Sequence, residues 1–115
     1  MNRNELRHRV SFEKREKADD GAGGTVDGAF VVQFTVAAAI VPKLGGEVVS
    51  AERLAGRQPV VIRIRCSSTT EAITPAWRAR DARTQEIYNI RSISNPDMRR
   101  QYLELMAESG AATES

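Results

Sequence analysis

The segment QFTVAAAIVPKLGGEVVSAERLAG, residues 33–56, decides how the chain is read. Its first half belongs to the run FVVQFTVAAAIV, residues 30–41, which is rich in β-branched side chains and apolar on both alternating faces, the pattern of a well-covered strand. Twelve residues at about 3.3 Å each extend close to 40 Å, so the strand has to bend. Ala37, Ala38 and Ala39 sit near its middle, where small side chains let a strand coil across a barrel wall. Pro42 cannot donate to a sheet ladder, and Gly45 and Gly46 follow it, so the strand stops there. Residues 47–55 then read as a helix, with Glu47 in the first turn, Arg53 in the last and Gly56 as the stop. A helix this short is costly to nucleate and needs a neighbour.

Working outward, Leu6, His8, Val10 and Phe12 alternate with Arg7, Arg9, Ser11 and Glu13, the period-2 signature of a half-buried strand that continues as a polar ribbon to about Lys17. ADDGAGGTVDG, residues 18–28, holds four glycines and three aspartates and reads as a flexible loop. It lacks a GK[ST] ending and a following helix, so it is not read as a phosphate-binding loop. Beyond Pro59, VVIRIRC places Val60, Ile62, Ile64 and Cys66 on one face and Arg63 and Arg65 on the other. Cys66 therefore reads as a small core residue rather than a nucleophile.

Trp77, Ala79 and Asp81 alternate with Arg78 and Arg80, a turn is expected at residues 81–84, and QEIYNIRSI makes the second strand of a hairpin. Ile87, Ile90 and Ile93 break strict alternation and imply a bulge. The tail admits two readings. Asn95-Pro96-Asp97 resembles a helix cap with Met98, Tyr102 and Leu105 at helical spacing, whereas Leu103, Leu105 and Ala107 suit a strand. Residues 109–115 read as a flexible C-terminal tail.

At 115 residues the chain is one domain, with a formal net charge of +2 and 5% aromatic residues. A small β-barrel or sandwich with so few large side chains gains from burial against other subunits. The single cysteine rules out an intrachain disulfide, and no zinc-type cluster is present. No apolar run approaches the roughly 20 residues needed to span a bilayer. A host-cytoplasmic protein requiring neither cofactor nor metal is expected.

The order LRHRVSF, Gly-rich loop, FTVAAAIVPKLGGE, short helix, Arg-alternating strand, ITPAWRAR, EIYNIRSISNPD and RRQYLEL resembles the phage head-tail joining family. These small proteins are also called head completion, head closure or stopper proteins in tailed phages and gene transfer agents. The resemblance spans residues 6–108 and implies a mainly β fold: a small antiparallel barrel over residues 1–108 with one short helix between the second and third strands. It also implies that residues 102–107 form the last strand. Functionally it implies a homo-oligomeric ring in the virion, below the portal and adaptor and above a tail terminator or tail completion protein. Such a ring continues or gates the channel for double-stranded DNA without reading its sequence. The segment 42–58 then supplies the gating or ring contacts through Lys43, Leu44, Glu47, Val48, Glu52, Arg53, Leu54 and Arg57, and the Gly-rich loop adds Asp19, Asp20 and Asp27.

Arg63, Arg65, Arg78 and Arg80 occupy alternate positions on two strands; if those strands pair, four guanidinium groups gather on one surface. That surface is either solvated and partly neutralised by Asp81 and Glu86, or it meets acidic residues of a neighbouring subunit or DNA phosphates. His8 is expected to be partly buried and Trp77 to anchor the core or barrel edge. An enzyme is not expected, since the sequence offers no paired base and nucleophile and no carboxylate dyad at strand or helix spacing. The alternative function, an OB-like nucleic-acid-binding module, would need aromatic residues on the basic face.

Overall fold

The computed structural model describes residues 6–19, 21–95 and 101–110. Six strands, β1 (His8–Asp19), β2 (Thr25–Pro42), β3 (Gln58–Arg65), β4 (Arg78–Asp81), β5 (Ile87–Ser94) and β6 (Tyr102–Ser109), close into an antiparallel barrel in the order β1-β2-β3-β6-β5-β4. Helix α1 (Glu47–Leu54) joins β2 to β3, and a single 3-10 turn, Thr70–Ala72, lies between β3 and β4. The mainly β barrel with a helix between its second and third strands is thus the fold observed.

The interior is filled by the apolar face of each strand. Val60, Ile62 and Ile64 of β3 point inward beside Val10, Phe12, Ala38, Ile90, Leu103 and Leu105. Phe12, Ile62, Ile64, Leu105 and Val10 are fully buried, each contributing about 1.5–3 kcal/mol of transfer free energy. Cys66 is half-buried against this core, with Sγ 3.3 Å from Glu71 Oε1. The tail is a strand: β6 pairs with β3 from Gln58↔Ser109 to Arg65↔Tyr102 and with β5 on its other side. A helix there would leave the backbone groups of both neighbours without a ladder partner. The strand reaches Ser109, while Met98, residues 96–97 of the cap-like motif and residues 111–115 lie outside the described residues.

The anticipated loop over residues 18–28 is mostly hairpin, because Ala18 pairs with Val26 and Asp19 with Thr25. Register shifts at Phe12/Glu13 and Arg15/Lys17 each place one extra residue in β2. Bulges of this kind bend a strand and raise its local twist. β1 pairs with β4 only from Val10 to Glu13, and β2 with β3 only from Ala38 to Pro42. Beyond those limits the two strands project as an arm. The radius of gyration of 15.2 Å and extents of 48 × 36 × 27 Å accordingly exceed the roughly 13 Å radius of a compact chain of this length. The bulge expected in β5 is present between Ile90 and Ser92, where Arg91 turns outward and donates to Glu108 Oε1 at 2.7 Å.

At the root of the arm, the buried carboxylate of Glu13 accepts from Arg78 Nε at 2.6 Å and Arg80 Nε at 3.0 Å. The guanidinium carbons of Arg78 and Arg15 stand 4.0 and 4.5 Å from the Phe30 ring centroid. Burial pushes the Glu13 carboxyl pKa up, but the hydrogen bonds and charges of the two arginines outweigh it and hold the group below its ordinary value of 4.5. At the other end, α1 stops at Gly56, whose φ of +84° is the left-handed cap conformation. Gly110, with φ +82°, packs so tightly on Gly56 that a Cβ there would collide with the Gly56 carbonyl oxygen.

Because the folded state depresses the Glu13 pKa, unfolding is linked to proton uptake. The clamp's stabilisation is complete above the ordinary carboxyl value of 4.5 and is lost as pH falls through the lower folded value. Glu13→Gln should cost on the order of 3 kcal/mol at neutral pH. It should also flatten the fall in thermal midpoint between about pH 5 and pH 3, measured by circular dichroism. In denaturant titrations, Gly110→Ala should lose about 2 kcal/mol, from backbone strain and the clash with Gly56.

Candidate interaction surfaces

The segment from the end of β2 through α1 leaves its apolar side chains in water. Val41 is 56% exposed, Leu44 67%, Val48 77% and Leu54 91%. The helix packs chiefly against β3. Its approach is held by the Lys43 N–H donating to Pro59 O at 3.0 Å and by Gln58 Nε2 donating to Lys43 O at 2.9 Å. Glu47, Arg53 and Arg57 are exposed, Lys43 is half-buried, and Glu52 lies on α1. Eight helical residues with this much unburied apolar surface gain little from their own chain.

The four arginines singled out in the sequence do not gather. β3 and β4 are not neighbours in the ring and stand on opposite sides of the barrel. Arg63 pairs across the ladder with Glu104 of β6, while Arg78 and Arg80 hold Glu13 of β1. Arg65 is exposed. The neutralising partners are thus Glu13 and Glu104 rather than Asp81 and Glu86. Asp81 is buried, and its Oδ1 accepts from the N–H groups of Arg83 and Thr84 at 2.8 and 3.2 Å, shaping the turn between β4 and β5. Strand alternation reports which way each arginine faces but not which strand closes the barrel beside it.

On the arm, Asp19 and Asp27 fall within paired strands rather than a loop, and Asp20 lies outside the described residues. Val26, Val31 and Val32 are exposed there. By antiparallel alternation the arm leaves the barrel at one end, while α1, the β4–β5 turn and the start of β1 lie toward the other.

That second end carries a cluster that no sequence motif marks. Arg7, His8, Arg9, Asp81, Ala82 and Arg83 line an open cleft of about 560 Å³. Arg7, His8, Arg9 and Arg83 are all exposed, so His8 is a rim residue rather than a partly buried one. The Ala82 N–H donates to Arg9 O at 2.8 Å and fixes the turn against β1. The outward phase of Arg7 and Arg9 was readable from strand alternation; the arrival of Arg83 beside them depends on barrel closure.

The aromatic rings pack inward or against arginine rather than forming a stacking platform. Phe12, Phe34 and Trp77 make a chain with centroid separations of 5.5 and 5.9 Å, with Trp77 half-buried and Lys14 Nζ 5.8 Å from its ring. Among the described residues, no group of three or more His, Cys, Asp or Glu side chains could hold a metal ion, and no helix is long and apolar enough to cross a membrane.

Two solved structures share this architecture. One is a chain of the virion of a native gene transfer agent particle, 22% identical, with a TM-score of 0.65 over 94% of this chain and 97% of that one. The other is protein SF1141 from Shigella flexneri 2a, 23% identical, with a TM-score of 0.71 over 98% and 100%. No curated protein matches by sequence. The model for the phage head completion protein family matches residues 1–110. With nearly its whole length matched, the chain belongs to the phage head completion protein family and is a structural protein of the head.

Proposed function

We propose that the protein is a connector at the head-tail interface of a virion or virus-like particle. Copies form a ring below the portal and adaptor, join the DNA-filled capsid to a tail terminator or completion protein, and continue or gate the channel for double-stranded DNA. The observation that carries this reading is the α1 segment, whose Leu44, Val48 and Leu54 stand in water. A helix of eight residues gains from docking the burial that it lacks alone, so its position can differ between the free and the assembled subunit. Lys43, Glu47, Arg53 and Arg57 supply a polar rim around those apolar contacts, and Glu52 belongs to the same helix. Arg65, exposed at the end of β3, is available to an acidic group on a neighbouring subunit, and the arm offers a second contact at the opposite end.

The decisive experiment mixes purified protein with capsids that carry portal and adaptor and sediments them. Co-sedimentation at micromolar concentration is the expected result, and its absence overturns the reading. Val48→Asp and Leu54→Asp should leave the thermal midpoint of the free subunit within a few degrees of wild type, because both side chains are already exposed. The same variants should abolish the joining of filled heads to tails in an in vitro assembly assay.

A further inference from the structure

We propose that the cleft formed by Arg7, His8, Arg9 and Arg83 is a contact surface for the phosphate backbone of double-stranded DNA. The whole chain carries a formal charge of only +2, yet three arginines and the histidine converge on this one cleft. The one acid among the described lining residues, Asp81, is 5% exposed and turns Oδ1 to the backbone N–H groups of Arg83 and Thr84. That carboxylate orders the turn while presenting almost no surface to a ligand. Arg7 and Arg9 alternate on the β1 side of the cleft, two strand residues or roughly 6.6 Å apart, and Arg83 approaches from the β4–β5 turn.

The cleft's chemistry selects among anionic partners. Protein interfaces characteristically have an apolar centre, and among the described residues lining this cleft Ala82 alone is apolar. The exposed Val, Leu and arm positions available for protein docking lie elsewhere. Planar guanidinium groups with no apolar ground between them suit a phosphodiester backbone, whose recognition is charge-based and independent of sequence. The inference rests on the connector reading, which supplies DNA at this interface, and adds where the chain would touch it.

The test is fluorescence anisotropy with a labelled 30-base-pair duplex over a series of salt concentrations, with polyglutamate as the competing acidic polymer. Arg7→Gln/Arg9→Gln/Arg83→Gln should weaken binding roughly tenfold or more at low salt and reduce the log–log salt slope by about 2–3. Arg91→Gln, whose guanidinium is paired with Glu108 across β5 and β6, should leave binding unchanged. Arg83→Gln alone should give a smaller loss in the same direction. It retains the backbone N–H that bonds Asp81, so it remains informative if the triple variant is unstable. Equal binding by wild type and variants, no duplex binding, or displacement of the duplex by equimolar polyglutamate would overturn the proposal. Wild-type co-sedimentation with capsids, run in parallel, separates the two readings. Its failure rejects the connector, whereas intact co-sedimentation without duplex binding rejects only the DNA contact.

Discussion

Barrel closure depends on the seam between β1 and β4. β4 has four residues, and its pairing with β1 covers only Val10↔Asp81 through Glu13↔Arg78. So short a ladder is a weak point in a closed sheet, and side-chain chemistry reinforces it. Glu13 receives both Arg78 and Arg80, and Ala82 extends the seam by donating to Arg9 O. A buried carboxylate is costly unless its charge and acceptor sites are met. Here two arginines on a neighbouring strand meet them, and Phe30 covers the guanidinium of Arg78. The interaction that closes the barrel is therefore also the one that fixes the root of the arm.

From that closure follow two exposed features at opposite ends. The arm is ordered by its own hairpin ladder and by the bulges in β2, and carries valines outward. The α1 segment is tethered at its entry by Gln58 and Lys43 and at its exit by the contact of Gly56 with Gly110, while its apolar side chains stay uncovered. A chain whose two unsatisfied surfaces face away from each other is suited to linking different neighbours. Such an arrangement is what the connector proposed above requires.

Much of this fold was legible in local pattern. The alternation in residues 60–66, the proline and glycines after residue 41, and the charge placement across residues 47–56 predicted β3, the end of β2 and α1, because period and capping act over a few neighbours. The irregular spacing of Ile87, Ile90 and Ile93 announced the β5 bulge. Residues 18–28 misled, since glycine and aspartate mark turns but cannot show that a hairpin ladder continues through them. The spacing after Asn95 left helix and strand both open for a related reason, and the strand that the family resemblance implied is the one formed: the free edges of β3 and β5 claim the tail as β6, and those edges exist only after the barrel forms.

The interaction surfaces divide along the same line. Sequence alone determined the alternation of the β3 strand and that a short helix interrupts the barrel, because these depend on residue type and period. Only the tertiary structure decided who stands beside whom. It separated Arg63 and Arg65 from Arg78 and Arg80, joined Glu13 to partners 65 and 67 positions away, and brought Arg83 to Arg7 and Arg9. Strand order in a closed sheet is set by burial and ladder satisfaction over the whole chain. That is why residues 33–56 could announce a barrel with a helix in it, while the neighbours of its charged residues had to await closure.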